Sequence, residues 1–263
     1  MTRIFFTAVV AAAIAGAACG GARQTTAARA TVRVAAASDL NAAMADVIAR
    51  FSASRPIDVS VSYGSSGTFY AQLLNGAPFD VFLSADAEYP RQLAARGLAQ
   101  PGGDFVYAIG RLVVWVARES SIDVAHEGLQ ALAAPSVAHV AIANPEHAPY
   151  GRAAVAALRW ARLDERVRPK LVFGENVAQA LQFAETGAAD AAIVARALVA
   201  APAVKDRGRW VEIPAEAYPR IEQRGVVLEK AADPQAAHAF RDFVLNGDGR
   251  AFLEQYGFVL PER

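Results

Sequence analysis

Val34-Ala35-Ala36-Ala37-Ser38-Asp39-Leu40 is the stretch on which the reading of this chain turns. An apolar run of small residues stops at a hydroxyl and an Asx-type residue. Leu40, Met44, Val47, Ile48 and Phe51 then recur at helical spacing. The stretch is a buried strand that turns directly into a helix. Small side chains let the backbone come close to whatever sits at the turn. Ser38 offers a hydroxyl, and the first amides of the helix have no intrahelical acceptor and carry the positive end of the macrodipole. Such a turn is a ready anion site. Alone, it is equally an ordinary helix cap.

The same unit recurs along the chain. After the helix Leu40 to about Ser54, ended by Pro56, residues Ile57, Val59, Val61 and Tyr63 alternate as a strand. The polar turn Gly64-Ser65-Ser66-Gly67-Thr68 leads to a helical run from Phe69 to Leu74. Val81–Ser84 is another buried strand, and Ala85-Asp86-Ala87 opens a helix that ends at Gly97. This βα order predicts a mostly parallel sheet with helices on both faces. A long strand-like run, Phe105–Val116, carries Gly110-Arg111 in its middle and is a hinge candidate.

A second set follows: strand Val140–Ala143, helix Arg152 to about Arg162, strand Leu171–Phe173, helix Val177 to about Glu185 and strand Ala189–Val194. Ile221–Leu228 reads as a return strand. Helices Pro234–Leu245 and Gly249–Tyr256 close the chain. Two α/β sets joined by extended crossings predict two lobes with a ligand cleft between them. The boundaries expected are 31–108 for lobe one, completed by 223–263, and 109–222 for lobe two.

Residues 1–30 stand apart. Arg3 gives a positive start, Ile4 to Ala18 is apolar, and small residues follow, as in an export signal. The apolar run is short for a membrane span. Ala17-Ala18-Cys19-Gly20 resembles a lipoprotein processing site, and Ala28-Arg29-Ala30 offers a competing cleavage point before Thr31. Cys19 is the only cysteine, so a disulfide within the exported domain is excluded. The formal net charge is zero. Three of the 26 basic residues and none of the 26 acidic ones lie in residues 1–30, so the remainder carries about −3. That balance argues against nucleic acid as a partner.

Catalytic signals are weak. His126, His139, His147 and His238 are scattered, with no metal-ligand spacing around them, and read as surface or structural residues. Gly64-Ser65-Ser66-Gly67 lacks a nearby base, which leaves a hydrolase using Ser66 as the rival of a different class. No glycine-rich turn closes with Gly-Lys-Ser/Thr. The turns support binding instead. Ser38-Asp39, Ser65-Ser66-Gly67, Tyr150-Gly151 and Asn176-Val177 each end a strand and begin a helix, two from each half. Closed together, they surround a small anion with hydroxyls and amides and no Lys or Arg.

Six segments then stand in order: Ala35–Leu40, Tyr63–Gly67, Phe79–Asp86, Asn144–Gly151, Gly174–Val177 and Gln255–Phe258. Together they resemble the molybdate-binding proteins of bacterial ABC importers, from about Thr31 to the C-terminus. The resemblance implies a type II periplasmic binding fold, two α/β lobes closing over molybdate or tungstate. It implies a non-enzymatic, monomeric, periplasmic protein with no cofactor, which delivers its ligand to a membrane permease and ATPase. Molybdenum enters only within the oxyanion. Carried over by motif, Ser38 and Ser66 give hydroxyl and amide donors, Tyr150 and Val177 give backbone amides, and the Asp39 amide adds another. Many family members place a Tyr hydroxyl on the oxyanion where this chain has Ala195. The Asp39 carboxylate is expected to cap its helix or face away. A role as proton acceptor would instead point to phosphate, and a sulfate- or phosphate-type binder is the rival within this class.

Overall fold

The computed structural model describes residues 29–262. The export signal and Cys19 therefore fall outside the described residues, apart from Arg29 and Ala30. Among the described residues, ten strands form two five-stranded sheets. The first contains β1 (Ala30–Ala37), β2 (Ile57–Gly64), β3 (Val81–Ser84), β4 (Ala99–Gly110) and β10 (Ile221–Leu228), in the order β2-β1-β3-β10-β4. The second contains β5 (Leu112–Ala117), β6 (Val140–Ala143), β7 (Leu171–Gly174), β8 (Ala191–Ala195) and β9 (Gly208–Glu212), in the order β7-β6-β8-β5-β9. The longer helices are α1 (Asn41–Ser54), α2 (Ser66–Leu74), α3 (Glu88–Ala95), α4 (Pro149–Trp160), α5 (Val177–Glu185), α6 (Pro234–Leu245) and α7 (Gly247–Gln255).

Each sheet is parallel except for one strand, and that strand is the one that arrives from the other sheet. In the first sheet β1 pairs in parallel with β2 and β3, while β10 runs antiparallel to β3 and β4. In the second, β6 pairs in parallel with β7 and β8, while β5 runs antiparallel to β8 and β9. The expected single run Phe105–Val116 is thus two strands in different sheets, interrupted at Arg111. An antiparallel neighbour needs no crossover helix, so direct passage between lobes inserts a reversed strand into each. Strand β9 and the first six residues of β4 carry little apolar pattern, and the sequence reading missed both.

The interior of the first lobe follows the period of two along each strand. Val32, Val34 and Ala36 of β1 face one apolar cluster with Met44, Val47 and Phe51 of α1 and Phe240 of α6. Ala35 faces the other with Phe69, Leu73 and Leu93. Phe51 and Phe240 meet edge to face, 5.3 Å between centroids. In the second lobe β5, β6 and β8 are buried on both faces and share one cluster with α4 and α5. Below the sheet, Asp80 is fixed by the amides of Arg33 and Ala232, at 2.7 Å each, and by the Arg33 guanidinium.

Several helices start elsewhere than the apolar periodicity places them. Helix α2 begins at Ser66 rather than Phe69, and α4 at Pro149 rather than Arg152. Their first turns are small or polar and carry no hydrophobic signal. Helix α3 begins at Glu88 rather than Ala85, because Asp86 instead accepts from the Tyr89 amide and ends the preceding bend. Gly151 lets the first turn of α4 lie against the end of β6, where an ideal Cβ would come 2.1 Å from the Ala143 carbonyl oxygen. Gly151→Ala is expected to lower stability by about 1–3 kcal/mol through this overpacking. Urea unfolding measures it, and an unchanged midpoint would show that α4 does not sit this close.

Candidate functional site

Four strand-to-helix turns meet between the lobes. Their residues enclose a cavity of about 10 Å³, about the room of one water, lined by Ala37, Ser38, Asp39, Gly64, Ser65, Ser66, Ala85, Ala148, Pro149, Tyr150, Asn176 and Val177. All five residues singled out from the sequence lie on this lining. None of the lining residues is Lys, Arg or His. The strands deliver them because β1, β2, β6 and β7 all end at this edge, as the parallel order requires.

The helix starts bring amides without an intrahelical acceptor to this lining. Ser66 is the first residue of α2 and Val177 the first of α5. Pro149 opens α4 without an amide hydrogen, so Tyr150 is that helix's first donor. Asn176 caps α5 by accepting from Ala178 and Gln179, and spares the Val177 amide. Both serine oxygens already accept an amide hydrogen: Ser38 from Ala178 of the opposite lobe at 3.3 Å, Ser66 from Ala85 at 2.9 Å. A hydroxyl whose oxygen is so engaged has its own proton left to donate. Ala195 ends β8 fully buried and lies outside the lining, so no hydroxyl enters from that position.

Asp39 does not cap a helix. Its carboxylate is fully buried, where Oδ2 accepts from the Tyr150 hydroxyl at 3.0 Å and from Gln223 Nε2 at 2.5 Å. Gln223 Nε2 also lies 3.0 Å from the Tyr150 hydroxyl. Gln223 lies outside the cavity lining, so the carboxylate is turned to the return strand β10. Burial pushes the Asp39 carboxyl up to about 6. The bonds from Gln223 and Tyr150, and the nearby amides of Asp39 and Leu40, pull it the other way. Burial and the Asp39 charge push the Tyr150 hydroxyl well above its ordinary range, so it stays a donor. The sequence reading missed Gln223. It stands between the charged Glu222 and Arg224, so its one signal is its inward place in the period-two alternation of the return strand.

Further contacts close the lobes around the cavity. Ser65 Oγ donates to the His147 carbonyl oxygen at 2.7 Å and lies 2.7 Å from His147 Nδ1. The Gly67 amide donates to the same carbonyl at 2.9 Å. An ideal Cβ on Gly67 would approach that oxygen to 2.6 Å. Arg152 reaches across to Asp86 at 2.5 Å and to Tyr89. His147 is therefore structural, a contact between lobes, and the serine beside it is Ser65, not Ser66.

The pattern of the bacterial extracellular solute-binding proteins matches residues 32–259. The molybdate-binding protein ModA of Rhodobacter capsulatus is 40% identical over 201 residues, 76% of this chain and 77% of its own. ModA of Azotobacter vinelandii is 38% identical over 231 residues, 88% of this chain and 90% of its own. The solved structure of the periplasmic molybdate-binding protein of Azotobacter vinelandii superposes with a TM-score of 0.83 at 34% identity, covering 88% of this chain and all of that one. The two lobes are thus the type II periplasmic binding fold, that of a solute-capturing protein and not of an enzyme. The chain belongs to the bacterial extracellular solute-binding proteins and, among them, to the ModA family.

Between its ordinary value of 3.8 and about 6, the folded protein holds an Asp39 proton that the unfolded chain releases. Asp39 therefore favours the fold at low pH, and that contribution is lost as pH rises through about 6. The span corresponds to about 3 kcal/mol. Asp39→Asn cannot ionise, so urea unfolding should find the variant gaining on the parent by about this amount between pH 4 and pH 7. Parallel pH profiles would mean that the carboxylate ionises as if in water.

Proposed function

We propose that this protein captures molybdate or tungstate outside the cytoplasmic membrane and presents it to the permease and ATPase of an ABC importer. The observation that carries the reading is the convergence of four helix starts, two from each lobe, on one small cavity without a cation. Neutral donors suit an anion that must be released again. Each hydrogen bond to a charged acceptor contributes about 1.5–3 kcal/mol, so Ser38, Ser66 and the amides of Tyr150 and Val177 suffice for tight capture. Discrimination against sulfate comes from size, since donors spread for a larger tetrahedron do not all reach a smaller one. The engagement of Asp39 with Tyr150 and Gln223 supports a ligand that brings no proton to share, which favours molybdate over phosphate.

The same reading divides the chain at the crossings: 31–108 with 223–263 as lobe one, 109–222 as lobe two. It takes the protein as a monomer, with no nucleic acid or cofactor involved. Isothermal calorimetry against molybdate, tungstate, sulfate and phosphate tests the ligand, and no heat with the first two would sink the reading. In the same assay Ser38→Ala is expected to weaken molybdate binding by about 1–3 kcal/mol. An unchanged affinity would remove the Ser38 hydroxyl from the site.

We infer that export processing occurs upstream of Arg29. Ala30 is already paired with Ile57 in β1, and Arg29 donates to the Ser52 and Arg55 carbonyls at the end of α1. Cleavage before Thr31 would remove both, which favours lipidation at Cys19 over the alternative. Mass spectrometry of the mature protein is expected to find Arg29 retained. A Thr31 N-terminus would refute the inference.

A further inference from the structure

The polar cluster of Asp39, Gln223 and Tyr150 has a division of labour that the binding site alone does not require. Asp39 follows β1 and Gln223 sits in β10, so the 2.5 Å bond between them is internal to the first sheet's lobe. Tyr150 belongs to the opposite lobe. Its hydroxyl donates to Asp39 Oδ2 and accepts from Gln223 Nε2, both at 3.0 Å, and closes a triangle on a pair that is already joined. The phenol ring is a rigid rod. One end is the first amide donor of α4, at the cavity. The other end is the hydroxyl, at the hinge.

Two further facts mark the place as built for this contact. An ideal Cβ on Gly110, the last residue of the outgoing strand, would lie 2.3 Å from the Tyr150 hydroxyl and 3.0 Å from Gln223 Nε2. Gly110 does not have a positive φ, so contact is the objection to a side chain there. Asp39 Oδ1 and Gln223 Oε1 are buried without a hydrogen-bond partner among the described residues. Leaving buried acceptors unpaired is costly, which makes the triangle a poor choice as a mere stabiliser of the fold.

We propose that Asp39 and Gln223 are positioning residues, a preset acceptor and donor in one lobe onto which the Tyr150 hydroxyl docks, and that this docking places the Tyr150 amide on the oxyanion. The proposal rests on the oxyanion reading above. Because the triangle forms only as the lobes meet, it acts after encounter. Its loss speeds release rather than slowing capture.

The test is a double-mutant cycle read with molybdate by calorimetry and stopped-flow kinetics. Tyr150→Phe keeps the backbone amide and removes only the hydroxyl. Gly110→Ala puts a methyl group where that hydroxyl docks. Each alone is expected to weaken binding about 10- to 100-fold, nearly all in the dissociation rate, with the association rate within about threefold. The double variant is expected to bind no worse than Gly110→Ala alone, since phenylalanine lacks the oxygen that the methyl strikes. Additive losses, or losses carried by the association rate, would overturn the proposal. If Gly110→Ala does not fold, Gln223→Leu replaces it. Its own loss must then fall in the dissociation rate and largely vanish in the Tyr150→Phe background.

The parent protein separates this proposal from the ligand reading. If the parent binds molybdate and the variants match it, positioning fails alone. If it binds only sulfate or phosphate, the ligand reading fails and the cycle is decided on that anion. If it binds none of these anions, both fail.

Discussion

On the proposed function, a small anion held without a cation is the constraint on which the structure depends. Neutral donors are individually weak in water and gain strength only when several converge in a site closed to solvent. No single helix start supplies enough of them. The chain therefore brings four to one point, and only parallel strands ending at a common edge do that. The two sheets, the small residues at their ends and the closure of one lobe on the other all follow from that requirement.

The crossings between the sheets answer a second requirement, that the lobes meet in one register. Direct passage from β4 to β5, and back through β10, places a reversed strand in each sheet and leaves short backbone pivots between them. Alongside apolar contacts of Ala37, Ala85, Ala197 and Ala201, contacts across the gap include polar, directional ones. Ser65 and Gly67 hold the His147 carbonyl on one side of the cavity, and Asp39 with Gln223 holds the Tyr150 hydroxyl on the other. A side chain at Gly67 would strike the His147 carbonyl oxygen, and one at Gly110 would strike the Tyr150 hydroxyl. A buried carboxylate with no cation in contact is an expensive element.

Much of the fold was legible because the signals were local. The period-two alternation in Ile57–Tyr63 and the helical spacing of Met44, Val47 and Phe51 each depend on a few neighbouring residues, and both elements stand where expected. Val177–Glu185 agrees to the residue, since Asn176 is a strong cap. Helix starts at Ser66 and Pro149 were placed three residues late because first turns at a ligand cavity are small and polar. The candidate site was legible as types of turn, since hydroxyls and glycines at strand ends are visible in the chain.

What the sequence determined by itself is the repertoire: buried strands that end in small donors, helices that start there, two such sets, and extended crossings between them. Tertiary structure alone decided which donors face one another and where the Asp39 carboxylate goes. Its partners lie 111 and 184 residues away, and no local pattern announces the glutamine between Glu222 and Arg224 as the other half of a buried pair. The physical reason is range. Propensity, capping and periodicity act within a turn or two of the chain, whereas burial and hydrogen-bond satisfaction are settled only when distant segments close around the same point.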